Sequence, residues 1–91
     1  MYYPFMTLND ETAIVHSEPL ENNEVEVRME RPADTDAGFD SASCFLPSYR
    51  WENIVGFSDD DIKNLQEIIE SEAHLIIRFA GEGGFEHAAN F

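Results

Sequence analysis

From Ser58 onward, apolar residues recur at steps of three and four. Ile62, Leu65, Ile69, Ala73, Ile76 and Ala80 fall on one line, and Ile68, Leu75 and Phe79 widen it. That spacing is the signature of a one-sided α-helix. Lys63, Gln66, Glu67, Glu70, His74 and Arg78 lie mostly on the other side, facing water. A greasy stripe of this length cannot stand alone in solvent, so the rest of the chain must supply a surface to cover it. Gly81 offers a left-handed stop. The branched residues of HLIIRF, 74 to 79, also suit a strand, and a break near Ser71 is the alternative to one continuous helix.

The covering surface reads as strands. In EVEVRME, 24 to 30, Val25, Val27 and Met29 alternate with Glu24, Glu26, Arg28 and Glu30, giving one apolar face and one charged face. TAIVHSE, 12 to 18, is β-branched and stops at Pro19. The intervening PLENN ends in Asn22-Asn23, which tolerate turn conformations, so the two segments form an antiparallel hairpin. A third strand, FDSASCFLP, sets Ala42, Cys44 and Leu46 on one face and Phe39, Ser41, Ser43 and Phe45 on the other, and Pro47 ends it. RPADTDAG, 31 to 38, has no periodicity and reads as a loop. SYRWENIVGF, 48 to 57, is too mixed to assign and is expected to be an aromatic loop or single helical turn. The expected fold is α+β: a short antiparallel sheet of about three strands packed on one long C-terminal helix, in a single domain of residues 1–91. Residues 81–91 are expected to be a tail, mobile at its glycines, that Phe85 and Phe91 can pin back onto the body.

Charge bounds the partners. Nineteen acids against five Lys or Arg give a formal net charge of −14 over 91 residues, a negative field in every direction. Direct binding to nucleic acid needs a basic stripe, and this chain has none. With 43% hydrophobic residues the chain is globular rather than disordered. Cys44 is the single cysteine, which excludes an intrachain disulfide and a thiolate zinc site built from this chain alone. The absence of a leader-like start and of a long apolar run leads to the expectation of a soluble, cytoplasmic protein with no membrane association.

The most chemical-looking cluster is Asp59-Asp60-Asp61. Neighbouring helical side chains diverge by about 100°, so the three cannot converge on one ion. Ser58, with an acid three residues later, instead makes a helix start whose carboxylates face the positive end of the helix dipole. Glu72 falls inside the apolar stripe, where a bare carboxylate is costly. It is either a catalytic acid of raised pKa, a partner of an arginine such as Arg50, or turned to water by a bend. His16, His74 and His87 share no ligand spacing and read as surface or half-buried side chains. Cys44 lies on a core face and reads as a buried, inert thiol. GEGG, 81 to 84, lacks the Lys-Ser/Thr of a phosphate-binding loop. No catalytic residue, metal ligand or cofactor site is expected.

The remaining candidate is the acidic surface. Glu24, Glu26 and Glu30 on the strand, Asp34, Asp36 and Asp40 around the loop, and Asp59, Asp60, Glu67 and Glu70 on the helix present carboxylates, with Tyr49 and Trp51 as exposed aromatic anchors. Such a surface fits a basic protein partner, such as a nucleic-acid-binding protein whose cleft it occupies as a mimic. The alternatives are a small enzyme or ligand-binding domain built on Glu72, and a homodimer joined at an open sheet edge.

The segments GFDSASCFLPSYRWENIVGFSDDDI and EGGFEHAANF are similar to small acidic proteins of Gram-positive gut bacteria and their mobile elements. The resemblance implies a compact cytoplasmic domain and transfers no catalytic motif. Small acidic inhibitors of bacterial immune nucleases, of the anti-CRISPR type, share the size and charge.

Overall fold

The computed structural model describes residues 1–33 and 38–83. Five strands are followed by one helix: β1 (Tyr2–Thr7), β2 (Ala13–Ser17), β3 (Val25–Pro32), β4 (Phe39–Leu46), β5 (Arg50–Val55) and α1 (Asp59–Glu82). The strands form an antiparallel meander in the order β1-β2-β3-β4-β5. The sheet is therefore wider than the three strands expected, because an edge strand was added on each side of the central three.

The register explains the core. Ile14 is paired with Met29, which is paired with Ala42, and His16 with Val27, which is paired with Cys44. Side chains in register share a face, so these rows make a continuous apolar floor. The helix lays Leu65, Ile69, Ile76 and Ala80 on that floor, with Ile62, Ile68 and Ala73 at its margins. The helix runs unbroken through HLIIRF, so the helical reading of that segment holds.

Local chemistry sets the boundaries. In the β2–β3 turn Asn23 adopts a left-handed φ of 64°, and the Asn22 side chain accepts the Glu24 amide at 3.0 Å. The helix begins with a full capping box: Ser58 Oγ accepts the Asp61 amide at 3.1 Å, and Asp61 Oδ2 accepts the Ser58 amide at 3.0 Å. Gly81 does not end the helix as expected. It stays helical, and Gly83 takes the left-handed cap at φ 85°. The tail contacts expected of Phe85 and Phe91, and the loop acids Asp34 and Asp36, lie outside the described residues.

Each edge strand carries a bulge. Phe5 is an extra residue between the pairs Pro4–Val15 and Met6–Ile14, and β5 has one residue too many between the pairs Ser43–Glu52 and Ser41–Val55. Asn53, at φ 56°, absorbs the second one. No helix among the described residues is long and apolar enough to cross a membrane.

Candidate interaction surface

The acids divide into two populations according to what faces them. On the sheet's uncovered face the carboxylates are committed. Glu26 accepts the Tyr2 hydroxyl on one oxygen and the Ser43 hydroxyl on the other, both at 2.7 Å. Glu30 lies 3.6 Å from Arg28. Glu24 does not project into water as its place in the alternation suggests. It is buried at 9% exposure, where it accepts Ser48 Oγ at 2.6 Å and Arg50 Nη1 at 2.8 Å. The Ser48 hydroxyl, and then Arg50, hold its carboxyl below the ordinary range. Arg50 also binds Glu52 and stacks 4.4 Å over Phe45.

A second arginine gathers the far end of the sheet. Arg31 Nε donates to Asp40 at 2.9 Å and Nη2 to Asp61 at 3.2 Å, while Nη1 lies 3.9 Å from Asp10. Its guanidinium sits 4.3 Å over the Phe57 ring. One cation thus ties the β1–β2 turn, β4 and the helix start together. The Asp triplet is accounted for: Asp61 closes the cap and binds Arg31, and Asp59 and Asp60 remain exposed at the positive helix end.

The cations are used up by these contacts. Arg28, Arg31, Arg50 and Arg78 are all held in ion pairs. Lys63 is the one basic residue without an ion pair among the described residues. Among the described residues Glu11, Glu18 and Glu21 on the turns are exposed without an ion pair, and so, on the solvent side of α1, are Asp59, Asp60, Glu67 and Glu70, which stand around Lys63.

The flank of α1 beside β5 joins these acids to the two aromatic residues singled out from the sequence. Trp51 Nε1 donates to Gln66 Oε1 at 2.9 Å, and Gln66 Nε2 donates to Glu70 Oε2 at 3.1 Å. Burial, and then the negative charge of Glu70, raises the Tyr49 hydroxyl pKa. A shallow hollow of about 370 Å³ runs along Asp59, Ile62, Lys63, Gln66, Glu67 and Glu70. Tyr49 and Trp51 are half-buried supports at its side rather than freely exposed anchors. The structure thus brings Asp59, Glu67, Glu70, Tyr49 and Trp51 together, with Asp60 beside them on the helix. Glu24, Glu26 and Glu30 lie elsewhere, on the paired face of the sheet.

Glu72 is half-buried on the helix flank, and Arg50 is not its partner, being held by Glu24 and Glu52. A more apolar hollow on the other flank of α1 is lined by Leu8, Phe57 and Ile68 among others, and not by Glu72, His16 or His74. His16 is fully buried, not a surface or half-buried side chain. Its Nδ1 lies 3.0 Å from the Ser17 carbonyl, which can only accept, so Nδ1 carries the proton. Nε2 has no hydrogen-bond partner among the described residues and is enclosed near the Tyr3 and Phe5 rings. Burial pushes the Cys44 thiol up to about 12. Among the described residues no group of His, Cys, Asp and Glu is placed to hold a metal ion.

The role of Arg31 escaped the sequence reading. Its partners Asp10, Asp40 and Asp61 stand on three separate elements, and no local spacing links them. The shortage of cations was the available clue, since nineteen acids share only five basic residues. No family model, curated protein or solved structure matches the chain.

Proposed function

We propose that the chain is a non-enzymatic interaction module that presents the solvent side of α1 to a basic surface on another protein. The supporting observation is the uneven use of cations. On the sheet Glu24, Glu30 and Glu52 are paired with arginines and Glu26 is bonded by hydroxyls, whereas Asp59, Asp60, Glu67 and Glu70 make no ion pair among the described residues and have only Lys63 among them, Glu70 also accepting the Gln66 amide. A rim of unmatched charge steers a complementary partner and raises the rate of encounter. The half-buried Tyr49 and Trp51 give the same flank a stiff apolar border. A basic cleft that holds DNA or RNA is the partner class that best fits such a field, and occupying it competes with the nucleic acid.

The test is affinity purification from the source cell at low and at raised salt. The expected partner is basic, is released by salt, and is displaced by added DNA or RNA. The double variant Glu67→Gln/Glu70→Gln lowers its recovery several-fold. Recovery unchanged in that variant, or insensitive to salt, would overturn the reading.

A further inference from the structure

On the flank of α1 away from β5, a hollow of about 360 Å³ opens between the helix and the β1–β2 turn. That volume is within the range of sites that take a small organic group, ~300–1,000 Å³. Its walls are apolar: Leu8 from the turn, Phe57 from the loop before the helix, and Leu65 and Ile68 from α1. Its rim carries Asp10 and Asp61 with the amides Asn9 and Asn64, and Thr12 and the Arg31 guanidinium complete the lining, so two carboxylates stand there against one cation.

The rim has acceptors to spare. Asp61 Oδ2 takes the Ser58 amide and Arg31, and Asp61 Oδ1 makes no hydrogen bond among the described residues. Asp10 Oδ1 accepts the Thr12 amide at 3.1 Å, while Oδ2 is only loosely approached by Arg31 at 3.9 Å. The Asn9 and Asn64 side chains likewise make no hydrogen bond among the described residues. Asp10, Asp40 and Asp61 surround the single guanidinium of Arg31, so the mouth stays negative even after that cation is counted. A neutral apolar ligand would leave these acceptors without donors, and an anion would be repelled.

We infer that this hollow receives an arginine side chain projecting from the basic partner, its aliphatic stem against Leu8, Phe57 and Ile68 and its guanidinium at Asp10, Asp61 and Asn64. Arginine suits the site better than lysine. Its planar fork carries five donors and is weakly hydrated, so it satisfies several acceptors at an apolar mouth with less desolvation cost. The stem covers the walls as long cationic side chains commonly do. The inference rests on the reading that the partner is basic, and assigns it a second point of attachment.

The experiment is an amide chemical-shift titration of the full chain with acetyl-arginine methylamide, beside the citrulline and lysine equivalents. Arginine is expected to shift Leu8 to Thr12, Phe57 and Asn64 to Ile68, with citrulline at least about tenfold weaker. The exposed Asn64→Lys substitution, which brings a cation to the mouth, should abolish those shifts and leave the remaining spectrum in place. Equal responses to arginine and citrulline, or shifts confined to the outer amides near Asp59, Glu67 and Glu70, would overturn the inference. The second of these outcomes leaves the proposed acidic surface standing. Shifts at the hollow, together with full partner recovery by the Glu67→Gln/Glu70→Gln variant, would sink the acidic-surface reading and keep the pocket.

Discussion

Replacing Ile76 by alanine tests the packing of α1 on the sheet at its most informative point. Ile76 is 1% exposed and faces the floor between Ala73 and Ala80, whereas Ile77 next to it is 42% exposed. Ile76→Ala removes three carbons from the core, a transfer loss of ~2.4 kcal/mol at ~0.8 kcal/mol per methylene. Two of its neighbours one turn away, Ala73 and Ala80, are too short to fill the void, and the cavity adds ~1 kcal/mol or more. The expected loss is ~3–4 kcal/mol, a large share of the ~5–14 kcal/mol typical of a chain this size. The midpoint of thermal unfolding should fall by roughly 12–32 °C. Ile77→Ala gives up about half as much transfer energy and regains a few tenths of a kcal/mol in helix propensity, so its cost is below ~1 kcal/mol. Urea unfolding followed by circular dichroism measures both. Equal losses in the two variants, or a loss under ~1.5 kcal/mol for Ile76→Ala, would refute the orientation of the helix.

Four further outcomes follow from the geometry. Gly56 has φ 83°, and a Cβ there would meet Asp40 Oδ1 at 1.9 Å, so Gly56→Ala should cost roughly 1–3 kcal/mol. By contrast Gly81→Ala, helical with open space around it, should gain ~0.5–1 kcal/mol in the same urea assay. The carboxyls of Asp10, Glu24 and Asp61 are depressed, first by bonds from Thr12, from the Ser48 hydroxyl and from the Ser58 amide respectively. Their stabilisation is therefore present above the ordinary values of 3.8 for Asp and 4.5 for Glu, and is lost as pH falls through the lower folded values. Relief of self-repulsion acts the other way, so the urea midpoint should hold or rise from pH 7 to 5 and drop below about pH 4; a rise continuing to pH 3 would contradict this. With its thiol pushed up to about 12, Cys44 should resist iodoacetamide at pH 8 in the folded chain and react fully in urea, as mass spectrometry would show.

The central strands and the helix were legible because burial there is one-sided and periodic. Val25, Val27 and Met29, and again Ala42, Cys44 and Leu46, point into the core, so alternation in the chain mirrors alternation in space. The edge strands left no such trace. In β5 only Trp51 is even half-buried and Asn53 interrupts the period, and in β1 only Tyr3 and Phe5 turn inward, beside a proline. The candidate surface was legible in part for a similar reason. Exposed acids can be read along a helix, but pairing depends on which distant cation arrives. That is why the alternation of β3 marks Glu24 as an exposed charge while Arg50 encloses it, and why the Arg31 junction leaves no trace in the chain's local pattern.

The bulges at Phe5 and near Asn53, with Pro4 beside the first, also govern how molecules meet one another. Pro4 brings no amide, and the extra residue on each rim throws the free backbone groups out of step with any regular strand laid alongside. Lateral growth into ribbons is thereby penalised on both sides. This protection is steric, so it persists in brine strong enough to silence the mutual repulsion of so many carboxylates. Two copies that did meet would find the margins of the pleated layer a poor seam.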